Sequence, residues 1–183
     1  RGCDGPMGFD DVIFEEELVK DYGLGPGRWG VRDREMMRVA ADRLLAHEGK
    51  IFQFIITLSS HSPFDFIDPE DEEIAPGAEH RRWRYFNSIR YADRALQDFY
   101  ERVPEGTLLV IYGDHESLTR SQPRDAEGKK IEYVPYFIHQ KGKVLRSSNP
   151  ARARGGGLTQ LDLVTFIRNY ALSLSESATA DAG

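Results

Sequence analysis

Thr107-Leu108-Leu109-Val110-Ile111-Tyr112-Gly113-Asp114-His115 is the stretch that decides the fold. Its first six residues form an apolar, β-branched run. Such a run reads as a strand buried on both faces, as in a parallel sheet flanked by helices. Gly113 lets the chain turn sharply where the strand ends. Asp114 and His115 then supply a carboxylate and an imidazole, two standard ligands of a divalent cation. Ligands of open α/β sheets bind at the carboxyl ends of strands, where this pair stands. Taken alone, Asp114-His115 is read as readily as a strand-ending turn with a polar exit.

Upstream, Ile51 to Leu58 is a second continuous apolar run, predicted as another buried strand and followed by Ser59-Ser60-His61-Ser62-Pro63-Phe64. Were the two strands neighbours in one parallel sheet, His61 and His115 would share a rim with Asp114, beside the hydroxyls of Ser59, Ser60 and Ser62. A loop histidine bonded to a backbone carbonyl is the plainer account of His61 by itself. His47, His80 and His139 have no such placement and read as surface or structural.

The remaining pattern is helical or loop-like. Gly8 to Phe14 reads as a short strand or turn, and the glycine-rich stretch from Gly23 to Gly30 as a loop. Asp33 is placed to cap a helix from Arg34 to about Ala46. Phe64 to about Glu79 is acidic and reads as an exposed excursion. A long helix is predicted from Arg81 to Glu101, its stripe being Tyr85, Ile89, Ala92, Leu96, Phe99 and Val103. Asp93 falls within that stripe and is therefore expected to be a buried, paired structural carboxylate. Leu118 to Lys130 and Arg146 to Gly157 read as loops. Ile131 to His139 is a third strand candidate, with Pro135 marking an edge or bulge. A helix is expected from Leu158 to about Leu174, with a frayed tail over 175–183. Strands alternating with helices point to an α/β sandwich.

Composition sets the outer bounds. The chain has 183 residues, 40% hydrophobic and 30% charged, enough for one domain with a real core. A net charge of -6 argues against nucleic acid as a partner. The lone cysteine, Cys3, has no internal disulfide partner. No apolar stretch approaches the ~18 residues that span a bilayer.

Several elements, in order, resemble the lipoteichoic acid synthase and phosphoglycerol transferase group, in the sulfatase-like branch of the alkaline phosphatase superfamily. Thr57-Leu58-Ser59-Ser60-His61-Ser62-Pro63-Phe64 resembles that group's Thr-x-Ser-x-His-x-Pro-Phe element. The helix around Tyr85 to Leu96, the strand end Leu109 to Glu116, Val134 to Ile138 and Gln160 to Leu163 follow in the expected order. Gly8-Phe9-Asp10 and Trp29-Gly30-Val31-Arg32-Asp33 match upstream.

The resemblance implies an α/β fold: a three-layer α/β/α sandwich with a mostly parallel central sheet, of which this chain holds an incomplete, C-terminal portion (residues 1–174). It implies that Asp114 and His115 are metal ligands, for manganese or magnesium, or calcium in a true sulfatase. His61 would contact the phosphate or head-group of the substrate, and Arg1 would be the remnant of a substrate-binding arginine. Asp93 matches an acidic position of the helix. The group's Thr or Ser nucleophile and early acidic metal ligand have no counterpart here, and Cys3 does not fit the sulfatase signature. Val164-Thr165 stands where Pro-Thr is common.

By resemblance, the activity is metal-dependent phosphoglycerol transfer on lipid head-groups in cell-envelope polymer or glycan synthesis. The partners would be an anionic phospholipid or a glycan, and the location the extracytoplasmic face of a bacterial membrane, anchored through segments outside the chain. The alternatives are a sulfatase or phosphodiesterase of the same superfamily, and a non-catalytic envelope-binding domain.

Overall fold

A computed structural model describes residues 8–25, 30–77, 79–115, 124, 126–128, 134, 136–143 and 160–180. The chain divides into two compact units, residues 1–109 with 140–142, and residues 110–139 with 143–183.

The first unit is built on helices. α1, Glu15–Tyr22, escapes the sequence reading, yet its signals are present: three glutamates in the first turn, a lysine in the last, and Gly23 at φ 66° closing it. The Phe14 N–H donates to the Glu17 carboxylate at 3.1 Å, satisfying one free donor at the helix start. α2 spans Asp33–Ala46 and α3 spans Arg81–Arg102, within one residue of their predicted bounds. They pack through Met37 and Ala41 of α2 and Ala95 and Phe99 of α3, joined by Val103 and Leu109. Ala41 and Ala95 are fully buried, and their small side chains let the two helices approach closely. A second cluster joins Leu18, Leu24, Val31 and Val39, which fixes α1 against α2.

The buried face of α3 is rotated from the predicted stripe. Asn87, Ser88, Tyr91, Ala95 and Phe99 are buried, whereas Ile89 is exposed. The polar pair is accommodated by local bonds: the Ser88 hydroxyl donates to the Tyr85 carbonyl at 2.8 Å, and Asn87 Oδ1 accepts the Ile74 N–H at 2.8 Å. Asp93, expected to be buried, instead lies on the exposed face and pairs with Arg90 at 3.0 Å. An apolar count misplaces such a face because it cannot foresee that a loop N–H will meet Asn87 Oδ1.

β1 is Leu108–Tyr112 and β2 is Tyr136–Gln140, forming a two-stranded sheet. The Gly106 N–H donates to the Lys141 carbonyl at 3.0 Å and the Lys141 N–H to the Thr107 carbonyl at 2.9 Å. These bonds set the start of β1 beside the end of β2, so the pair runs antiparallel. The Lys141 ammonium donates to the carbonyls of Tyr100, Glu101 and Val103 at 2.8, 3.0 and 2.7 Å, closing the C-terminal turn of α3.

The buried strand predicted over Ile51 to Leu58 is corrected: these residues lie in no strand. Phe52, Phe54 and Ile56 are 69%, 53% and 65% exposed, while Ile55 packs on the α2–α3 cluster. The alternation of an extended segment survives, but only one of its faces is covered. Phe9 stacks on Phe52 and Phe54 with ring centroids 6.1 and 6.5 Å away.

In the second unit, β1 continues into Gly113, whose backbone runs close to Val134: a Cβ there would lie 3.2 Å from that side chain. α4 spans Gln160–Ala180 and so continues past the predicted end near Leu174. No helix among the described residues is long and apolar enough to cross a membrane. Arg1, Trp29, Glu116, Pro135 and most of the two predicted loops over 118–130 and 146–157 lie outside the described residues.

Candidate functional site

The His61 turn is assembled by Asp33. The Asp33 carboxylate is fully buried at the start of α2, with Arg32, not Asp33, in the capping position. It accepts the Leu58 N–H at 2.8 Å and the Ser59 N–H at 3.1 Å, while its own N–H donates to Ser59 Oγ at 3.3 Å. Burial pushes the Asp33 carboxyl above the usual aspartate range, and the bonds from Leu58 and Ser59 oppose that rise. The sequence signal was the acidic residue at the helix start, but its partner 26 residues away could not be read from spacing.

Beyond this clamp the chain turns tightly. The His61 N–H donates to the Leu58 carbonyl and the Phe64 N–H to the His61 carbonyl, both at 2.9 Å. Ser62-Pro63 is a cis peptide, and Phe64 holds a left-handed φ of 68° while buried. A left-handed bulky residue persists only where its surroundings hold it. Here Phe64 is gripped by Tyr85, with ring centroids 5.2 Å apart, and by the Arg81 guanidinium, 5.5 Å from its ring centroid. The His61 side chain is exposed, and its Nδ1 lies 2.6 Å from the Ser62 carbonyl. A carbonyl only accepts, so Nδ1 carries the proton and Nε2 is left for a ligand.

In the second unit, Asp114 and His115 follow β1 as the sequence predicts. Asp114 Oδ1 accepts the His115 N–H at 2.9 Å and stands 3.7 Å from His115 Nε2. Both side chains are exposed. One hard oxygen and one imidazole nitrogen at this separation fit the first shell of a single divalent cation with bonds of about 2.0–2.2 Å. Among the described residues no third His, Cys, Asp or Glu completes such a group. Tyr112 and Asp114, with Leu163, Val164 and Ile167 of α4, line a shallow, mainly apolar pocket beside the pair. His61 belongs to the first unit and the Asp114–His115 pair to the second. Arg1, read as a substrate-binding arginine, lies outside the described residues.

The family model described as Sulfatase matches residues 2–170. The chain is 27% identical over 146 residues to the lipoteichoic acid synthase-like YvgJ of Bacillus subtilis (strain 168), covering 68% of this chain and 24% of that protein. It is 27% identical over 132 residues to lipoteichoic acid synthase 1 of the same organism, covering 62% of this chain and 20% of that protein. The chain thus spans about a quarter or less of the length of these relatives. Among solved structures, a protein in the alkaline phosphatase superfamily from Vibrio parahaemolyticus matches with a TM-score of 0.52 and 24% identity, over 74% of this chain and 33% of that one. That likeness supports the α/β fold class read from the sequence. A match across nearly the whole chain settles the family: this protein belongs to the sulfatase family, a family of enzymes.

Proposed function

We propose that the protein is a metal-dependent phosphoglycerol transferase acting on lipid head-groups in cell-envelope polymer or glycan synthesis. The observation that carries this reading is the carboxylate–imidazole pair Asp114–His115 at the end of β1, in a chain similar to lipoteichoic acid synthases. In this reading residues 1–174 are the C-terminal part of a catalytic domain.

Asp114 and His115 would hold a divalent cation, manganese or magnesium, which when bound lowers the pKa of a hydroxyl and screens phosphate charge. His61 presents Nε2 to a phosphate oxygen, its ring fixed by the proton on Nδ1. Protonated at Nε2 it donates a hydrogen bond to the phosphate, and neutral it accepts the proton of an attacking hydroxyl. A Thr or Ser hydroxyl outside these residues attacks phosphorus, and diacylglycerol leaves with a proton. The resulting phosphoglycerol ester passes to a glycan or polymer hydroxyl, or to water. The membrane anchor would lie outside these residues, with the site on the extracytoplasmic face.

The match to the family model described as Sulfatase supports a second reading, a sulfate-ester or phosphodiester hydrolase with calcium as an alternative metal. The complete protein, incubated with phosphatidylglycerol, p-nitrophenyl sulfate or bis-p-nitrophenyl phosphate, separates the two. Transfer predicts diacylglycerol from the first in the presence of manganese. Turnover of the sulfate ester alone would overturn it.

A further inference from the structure

The described arginines of the first unit fall into two sets. Arg32, Arg34, Arg43, Arg90, Arg94 and Arg102 each hold a carboxylate partner. Arg38 on α2 holds none among the described residues, and neither do Arg81, Arg82 and Arg84. The last three crowd the first turn of α3, which contains no acidic residue. Cations are disfavoured at that end, where the helix dipole presents its positive pole. Helix stability therefore does not account for the cluster.

Arg81 is also the one that reaches the His61 turn. Its Nη2 donates to Ser62 Oγ at 3.2 Å, and its guanidinium lies against the Phe64 ring. The carbonyl of the same Ser62 accepts the His61 Nδ1 proton at 2.6 Å. One residue thus orients two side chains, each exposed and each keeping donor capacity toward solvent. A guanidinium has five N–H donors in a planar fork suited to two oxygens of one phosphate, and the Ser62 bond uses only one of them.

We infer that Arg81 is a second substrate contact, gripping with His61 the phosphate oxyanion of the ligand that enters this turn. The inference rests on the phosphoglycerol reading above, and Arg81 falls in none of the sequence elements that carried it. The test titrates glycerol 1-phosphate and inorganic phosphate into the complete protein by calorimetry, for wild type, Arg81→Gln, Arg81→Lys and His61→Gln, with the Tm of each. The expected result is a loss of tenfold or more in affinity for both anions in Arg81→Gln and a smaller loss in Arg81→Lys. The Tm of Arg81→Gln should stay close to that of wild type, because the lost Ser62 bond and Phe64 contact are offset by removal of a cation from the helix start. Wild-type affinity in Arg81→Gln overturns the inference, as does a loss matched by a fall in Tm. If His61→Gln binds weakly while Arg81→Gln binds normally, the inference fails and the His61 reading stands. If both bind normally, both fail.

Discussion

Asp33 and Ser59 hold each other by reciprocal bonds: the Asp33 carboxylate accepts the Ser59 N–H at 3.1 and 3.2 Å, and Ser59 Oγ accepts the Asp33 N–H at 3.3 Å. Both residues are buried, and the turn bearing His61 starts from them. Removing the carboxylate strands two N–H groups, so Asp33→Ala should cost about 2–4 kcal/mol. Asp33→Asn keeps an acceptor in place of Oδ1 and should cost about 1 kcal/mol or less. Urea unfolding at pH 7 reads both, and an Asp33→Ala loss under ~0.5 kcal/mol would contradict the clamp.

The same carboxyl gives a pH signature. Its pKa in the folded state is raised, chiefly by burial. A raised pKa means that the folded state binds the proton more tightly than the unfolded one. That contribution is fully present below the ordinary aspartate pKa and is lost as pH rises through the folded value. The stability of wild type relative to Asp33→Asn should therefore fall as pH rises from about 4. Urea midpoints of the two proteins from pH 4 to 7 test this, and a difference growing in favour of wild type would refute it.

Gly30 stands at φ 149°, and a Cβ built there would lie 2.8 Å from Leu58 Cδ1. Leu58 can swing away, but the backbone angle remains strained for any L side chain. Gly30→Ala should cost about 1–3 kcal/mol and loosen the approach of Leu58 to Asp33. Thermal unfolding reads the loss, and an unchanged Tm would show that the local backbone relaxes freely.

Lys141 closes α3 by three bonds to carbonyls of its last turn and beyond. A cation at a helix C-terminus also meets the negative end of the dipole. Lys141→Met retains the apolar stem and removes the donors, so its loss of about 1–2 kcal/mol reports the cap itself. Urea unfolding of this variant beside wild type tests the figure.

In the proposed site Asp114 and His115 would supply two donors, and a catalytic metal site ordinarily needs three or more protein ligands. Manganese titrated calorimetrically into these 183 residues alone should bind more weakly than micromolar. Micromolar or tighter affinity would mean that other residues of this chain complete the site.

Local pattern carried the placement of Asp114 and His115 and the principal helices. The apolar run to Tyr112 placed Asp114 and His115 at the end of β1, because a strand followed by Gly113 has little other reading. α2 and α3 were legible from their spacing. The segment 51–58 was misread because an unbroken apolar run implies cover on both faces, and here Phe52, Phe54 and Ile56 lack it. Asp93 lies exposed where burial is expected, and Asn87 is buried, because burial of a polar residue depends on partners the local pattern does not reveal. For the same reason neither the Asp33 clamp nor the Arg81–Ser62 bond is legible in the sequence, their partners lying 26 and 19 residues apart.

The central claim is tested most directly by the diacylglycerol released from phosphatidylglycerol by the complete protein with manganese, for wild type and His115→Ala. The account predicts release that is lost on chelation and falls at least 100-fold in His115→Ala, with the Tm of the metal-free protein unchanged. Equal release by the two proteins would contradict it.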